Sequence, residues 1–353
     1  MVIFFSLSIP VLADDNKISY EQALKKVIEN TDAIKNLEDS MVYLDEIKRE
    51  SQNNMGDLNV SLGQPLELIS ATYTQIIKLS QAIKSYENQI SNYDMNKKIL
   101  KDTAEFTLRN HLINIKTYLL DISMLKEKIE LDTKNLKITQ IKNKRGLASD
   151  LELSTMQNNL AQENNNLSAL NIKLQNERQA LNKLMGMNVK SDVEVDLNIP
   201  TETFDTDIES HVFNEMNNSP LIIMKRKVVS EAQYAVDMHS NLVDELESEP
   251  VNNLKKVTRE YEETIKTLES NIRSAYNNLK SLENNQKALA QSLESANNIY
   301  NANLVKYKAG LISENALEES KVNVSQIKNS IEKNNMSMSN LIFTLNRSYL
   351  LGN

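Results

Sequence analysis

Two stretches of this chain share one pattern: Lys144-Arg145-Gly146-Leu147-Ala148-Ser149-Asp150-Leu151 and Lys308-Ala309-Gly310-Leu311-Ile312-Ser313-Glu314-Asn315. Each lies between two long helical stretches that contain neither Gly nor Pro. Gly reaches φ > 0 just past a helix C-terminus without a Cβ clash. The Ser three positions later is a preferred residue for capping the next helix. The basic residue before the Gly suits the negative end of the first helix dipole. Each copy therefore predicts the tip of a long α-hairpin, and the chain holds two.

Composition agrees with long, thin helices. The 353 residues include no Cys, no Trp, 6 Gly and 5 Pro, with 5% aromatics. Few large side chains are present to fill a broad core. Abundant Asn lowers intrinsic helix propensity, so packing must supply much of the stability. A formal net charge of −8 argues against a nucleic-acid partner. Residues 1–13 are short and apolar and end in Val11-Leu12-Ala13 before two Asp, the pattern of a secretory signal without its basic leader. The expectation is an exported protein. No later apolar run approaches the ~20 residues of a membrane helix.

The remainder divides into two repeats, residues 14–200 with a tip at 146–149 and residues 201–353 with a tip at 310–313. In the first, Ser19 and Gln22 form a capping box ahead of a short helix that Asn30-Thr31-Asp32 breaks. A second helix is expected over about 33–54. Leu58, Val60 and Leu62 alternate with polar residues and are the only strand candidate. From Leu66 to Arg145 no breaker occurs, which allows a rod of roughly 115 Å. The return arm runs from about Ser149 to Met185 and ends at Gly186. An acidic connector follows, from Val189 to Pro200. The second repeat has the same order: a short helix from Thr203 to Asn217, a break at Asn218-Ser219-Pro220, a helix over about 221–246, an arm from Pro250 to Ala309, and a return arm from Ser313 to Leu350.

The tip glycines are 164 positions apart, and Leu181-Asn182-Lys183 matches Leu345-Asn346-Arg347 at the same offset. A duplicated supersecondary unit is the most specific signal in the sequence. Both return arms carry 3-4-3-4 apolar spacing in one register. Leu153, Met156, Leu160 and Leu167 mark the first; Leu317, Val324, Ile327 and Ile331 mark the second. The second ascending arm has the same spacing at Ile272, Ala275, Leu279 and Leu282. These are narrow heptad seams of left-handed coiled packing. The expected fold is all-α: two tandem antiparallel coiled-coil hairpins with at most one short strand. Return arm and middle helix together match the long arm in length, so they are expected to stack end to end along it.

Short helix, middle helix, long helix, Gly-Leu tip and a return helix ending in a Leu-containing run before Gly, all doubled, resemble the TolC family of outer-membrane efflux and secretion ducts. The residues that carry this are Tyr20 to Leu24, Gly146-Leu147, Leu181 to Gly186, Gly310-Leu311 and Leu345 to Gly352. The resemblance implies a homotrimer whose helices enclose a channel. It also implies docking of a membrane-fusion adaptor and an inner-membrane pump through tip residues Gly146, Leu147, Gly310 and Leu311, and a place in the cell envelope. Family members insert two membrane strands per half; here one short candidate exists in the first half and none in the second. The membrane barrel is expected to be reduced or absent, as suits a stalk in a cell with one membrane.

Acids just past the tips, Asp150, Glu152, Glu314, Glu318 and Glu319, have two readings. By resemblance they are lumen gate residues. By local physics they are helix N-terminal acids favoured by the dipole, and this second reading is preferred. His111, His211 and His239 are isolated, without a second ligand at metal spacing; His111 falls on the seam. Tyr73, Tyr86, Tyr93, Tyr118, Tyr276, Tyr300 and Tyr307 are expected to pack. No nucleophile–base pair or phosphate loop is present, so neither an enzyme nor a cofactor is expected. Two other classes compete with a duct. A helical pore-forming toxin predicts no matching halves, and an envelope coiled-coil protein predicts no short-helix breaks.

Overall fold

The computed structural model describes residues 17–59, 63–242 and 248–352. The first repeat holds α1 (Tyr20–Asn30), α2 (Asp32–Gly56), α3 (Leu66–Ser91), α4 (Tyr93–Lys144) and α5 (Asp150–Leu184). The second holds α6 (Ile208–Asn218), α7 (Pro220–Leu242), α8 (Ser248–Lys308), α9 (Glu314–Leu345) and a closing 3-10 helix (Ser348–Gly352). At 61 residues, α8 is about 90 Å long. The fold is all-α, in two tandem hairpins.

Both tips form as their residues dictate. Gly146 and Gly310 each adopt φ 72°. Leu147 N–H reaches Lys142 O and Gly146 N–H reaches Asn143 O, both at 2.8 Å; the second tip repeats the pair at 2.9 Å from Leu311 to Lys306 and from Gly310 to Tyr307. This double bond pattern satisfies the last helical carbonyls. Ser149 Oγ then caps α5 through Glu152 N–H at 3.1 Å, and Ser313 Oγ caps α9 through Ala316 N–H at 3.3 Å. At the other end of α5, Asn30 Nδ2 donates to Lys183 O and Leu184 O at 3.3 and 3.1 Å. The α1–α2 junction thus closes the α5 terminus, with α2 and α5 end to end along α3 and α4.

The seams are continuous, and polar residues occupy the places where the apolar pattern lapses. On α5 the seam includes Glu163 and Glu177. Glu163 pairs with Lys128, and Glu177 meets His111 Nδ1 at 2.7 Å. On α9 it includes Asn334, whose amide bonds Leu282 O at 3.0 Å and Gln286 Oε1 at 2.8 Å. Two apolar clusters anchor the repeats. One joins Val27, Leu108, Leu112 and Leu181; the other joins Ile222, Leu268, Ile272 and Leu345. Leu108 and Ile272 are 164 positions apart and both fully buried, so the duplication holds in packing as well as in sequence.

Toward the tips the four long helices form one layer, in the order α5, α4, α9, α8. Helix α4 packs on both α5 and α9, and α9 on both α4 and α8. The layer is open: α5 and α8 are its edges.

Several expectations need correction. The first long arm is interrupted at Asn92, which stays near helical geometry (φ −91°, ψ −6°). Lys227 Nζ from α7 bonds Ser91 Oγ and Asn92 Oδ1, each at 2.8 Å, and fixes the site. Such short polar side chains compete with the helix for partners. Of the strand candidate, Leu58 lies in a loop, and Val60 and Leu62 lie outside the described residues. A two-residue parallel ladder forms elsewhere, between β1 (Lys17–Ile18) and β2 (Glu194–Val195), so the described residues hold two very short strands rather than at most one. The short helix of the second repeat begins at Ile208 rather than Thr203. Asp207 caps it through Ser210 N–H at 3.0 Å, while Glu202 is held by Arg347 and Thr203 O by Asn346. The second return arm ends at Leu345. Tyr73 and Tyr307 are exposed rather than packed, whereas Tyr118 packs against the first cluster. The signal-like residues 1–13 lie outside the described residues.

Candidate functional site

The tips project one apolar side chain each. Leu147 and Leu311 are both 73% exposed, among the most exposed large apolar residues described. A Cβ at Gly146 or Gly310 would meet no atom within 4 Å, so the glycines are themselves in open space. A turn needs the glycine but not the leucine that follows it, so the turn alone does not account for the two exposed leucines.

The five acids do not converge within one chain. Asp150 Oδ1 accepts from Asn143 Nδ2 at 2.9 Å, which staples its own turn. Glu152 follows it on α5. Glu314 sits in the first turn of α9. Glu318 lies 3.5 Å from Lys321, in a crevice between α4 and α9 that Glu130 and Lys134 also line. Glu319 is exposed on α9. Helix α4 separates the α5 acids from the α9 acids. Among the described residues no group of three or more His, Asp or Glu is placed to hold a metal ion.

His111 serves the α4–α5 seam. His211 is buried, with Nε2 2.9 Å from Ser348 Oγ and its ring edge-on to Phe204. Desolvation holds its pKa below the ordinary imidazole value. The side chain of His239 is not among those described.

Between the two hairpins the α4–α9 contact is largely polar. Asn340 Nδ2 donates to Asn110 Oδ1 at 2.9 Å, Asn329 Nδ2 to Leu120 O at 3.2 Å, and Asn315 Nδ2 to Asn135 Oδ1 at 2.5 Å. Lys116 pairs with Glu332, and Lys333 with Asp121. Fully buried Arg109 closes the far end, donating to Pro200 O at 3.0 Å and Ser339 Oγ at 2.9 Å. Beside it Arg347 holds Glu202 at 2.8 Å and Asp102 at 3.5 Å, and Tyr349 donates to Asp102. Sequence reasoning missed this cluster, because its charges come from segments remote in the chain.

No helix among the described residues is long and apolar enough to cross a membrane. Among the described residues the arrangement has two exposed tips and two edge helices, α5 and α8.

No protein-family model and no curated protein matches the sequence. Solved structures match the fold over nearly its whole length. The outer-membrane channel OprN aligns with a TM-score of 0.67 at 10% identity, covering 94% of this chain and 89% of the channel. The outer membrane protein VceC of Vibrio cholerae aligns at 0.65 and 10%, covering 94% and 96%. The CmeC outer membrane channel of Campylobacter jejuni aligns at 0.65 and 14%, covering 94% and 86%. The chain thus has the TolC-like all-helical fold of outer-membrane channels.

Proposed function

We propose that the chain is the protomer of a TolC-like envelope duct, part of a tripartite efflux or type I secretion system. Three copies close side by side into a helical channel. The observation that carries this reading is the open layer: α5 and α8 end it as bare edges, on a fold otherwise found in outer-membrane channels. A single copy cannot enclose a lumen, and an edge-to-edge head-to-tail contact closes a ring when its rotation permits.

The tips meet a membrane-fusion adaptor through Leu147 and Leu311, held out by Gly146 and Gly310, and the adaptor links the duct to a pump. Asp150, Glu152, Glu314, Glu318 and Glu319 lie near the tip end, where a threefold ring would repeat each of them and focus its field on cations. Glu318 is partly neutralised by Lys321, so the other four are the stronger candidates for this role.

At the opposite end the α2–α3 link spans residues 57–65 and the α7–α8 link residues 243–247. A membrane strand needs roughly 9–11 residues, so neither link has the length for a strand pair. These short links support a helical stalk with a reduced or absent barrel, and this reading places it, exported, in the cell envelope. Native mass measurement of the leaderless protein without detergent tests this: a stable trimer is expected, and a monomer, or a strict need for detergent, contradicts it.

A further inference from the structure

A cavity of about 320 Å³ opens between α4, α5 and the β1–β2 ladder. That volume lies at the low end of the roughly 300–1,000 Å³ usual for small-molecule sites. Its floor is aliphatic: Ile115 of α4, Leu181 of α5 and Val195 of β2 line it, and all three are buried. Four charged side chains stand at its mouth. Lys17, Arg178 and Glu194 are exposed, and Asp196 is half-buried. Asp196 Oδ1 accepts from Asn198 N–H at 3.1 Å. The side chains of Lys17, Arg178 and Glu194 form no ion pair or hydrogen bond among the described residues.

Asn182 also lines the cavity and is only 4% exposed. Its amide nitrogen is committed to the connector, donating to Ser191 O at 2.8 Å and to Val189 O at 3.3 Å. No donor among the described residues reaches its Oδ1. A buried acceptor left without a donor is costly, and the cavity is the side from which a donor can arrive. The duplication does not by itself require this arrangement. At an offset of 164, Asn182 corresponds to Asn346, which is exposed. Arg178 corresponds to Ile342, which packs against the second apolar cluster. Leu119, on the cavity wall, corresponds to Glu283, which Lys280 pairs at 2.9 Å. The second repeat thus makes an apolar contact where the first holds out an unpaired cation.

We propose that this cavity binds a small aliphatic zwitterion, an amino acid or short peptide with both ends free. The aliphatic floor takes its side chains out of water. Its ammonium end donates to Asn182 Oδ1 and is drawn to Glu194 and Asp196. Its carboxylate end meets Arg178, whose planar fork suits a carboxylate, with Lys17 nearby. Two cations and two acids balance at the mouth, so neither a simple anion nor a simple cation is favoured there. The site lies within one chain and does not depend on the duct reading.

Calorimetric titration of the protein without residues 1–13 tests this, with leucine and leucyl-leucine as probes. Each is used free, with its amine acetylated, and with its carboxyl amidated. At least one free form is expected to bind saturably, one per chain, and which one binds fixes the size of the ligand. Blocking either end is expected to weaken binding by about tenfold or more, the scale of one charge-assisted hydrogen bond. Arg178→Gln is expected to weaken the free form by a similar factor. Val193→Trp, which fills the cavity from its wall, is expected to abolish binding. Circular dichroism confirms that both variants are folded; Arg178 is exposed and without a partner, so its variant decides the matter if Val193→Trp does not fold. No saturable heat with either free form would overturn the proposal. Blocked forms binding as well as free ones would reduce the site to an apolar crevice and overturn the zwitterion. Binding unchanged in the folded variants would place the site elsewhere and overturn the assignment.

Discussion

The guanidinium carbon of Arg347 lies 3.8 Å from the centroid of the Phe343 ring, and that of Arg109 lies 4.6 Å from the same centroid. Phe343 is fully buried. The ring face is electron-rich, so it attracts both cations where water is scarce. Arg109 comes from α4 of the first repeat, and Arg347 follows α9 of the second. The contact locks the repeats together beside the connector that joins them.

Phe343→Ala is expected to cost about 3–5 kcal/mol, since it removes a buried aromatic side chain and its two cation contacts. Arg347→Met is expected to cost about 2 kcal/mol by leaving Asp102 and Glu202 without their counter-charge. Denaturant unfolding followed by circular dichroism measures both. A change below about 0.5 kcal/mol in either, on the ordinary scale for surface substitutions, would show that the cluster is not a structural joint.

Asn334 is a buried polar member of the mainly apolar α8–α9 seam, and its counterpart in the first repeat is Leu170. A buried Asn in a heptad seam fixes register at a cost in stability. Asn334→Leu is therefore expected to raise the thermal midpoint, by about 1 kcal/mol of stability. A lowered midpoint would mean that the bonds to Leu282 O and Gln286 are worth more than the apolar contact that replaces them.

Three left-handed glycines follow the ends of long helices, and their surroundings differ. A Cβ at Gly146 or Gly310 meets no atom within 4 Å, whereas at Gly186 it would come within 2.6 Å of Asn30 Oδ1. Gly146→Ala and Gly310→Ala are expected to cost only the left-handed backbone penalty, about 1–2 kcal/mol. Gly186→Ala must also displace the side chain that caps α5, and is expected to cost more. Equal losses at all three sites, read from thermal melts, would contradict the role of Asn30 as a cap.

Burial lowers the pKa of His211 below its ordinary value of 6.5. Below that value the unfolded chain binds the proton before the folded one does, so the stability present above pH 6.5 is lost as pH falls toward the folded pKa. Burial raises the Glu215 carboxyl above its ordinary value. There the folded state binds the proton more readily, and stability falls as pH rises from about 4.5 toward that folded value. Comparing wild type with His211→Asn between about pH 7.5 and 5.5 isolates the histidine. The wild type is expected to lose more stability on acidification than the variant, and parallel melting curves would refute the assignment.

What the sequence made legible was local or periodic. The tips at Gly146 and Gly310, the Ser149 and Ser313 caps and the capping box at Ser19 each need a few adjacent residues. The seams need only spacing. Glu163, Glu177 and Asn334 were hidden, because an apolar pattern cannot mark a polar residue that a partner helix satisfies. The ladder between Lys17–Ile18 and Glu194–Val195 is too short to alternate, and the interruption at Asn92 depends on Lys227 arriving from α7. The Arg109–Phe343–Arg347 cluster joins groups that become neighbours only when the repeats dock. The acids near the tips were visible as residue types, but their separation by α4 was a matter of helix order.

The central claim is that copies of this chain enclose a tunnel, and electron microscopy of the purified protein without residues 1–13 tests it most directly. End-on class averages are expected to show a threefold ring of helices around a solvent-filled hole, in particles elongated along the helix axis. Solid rods, or single open layers with no central hole, would contradict it.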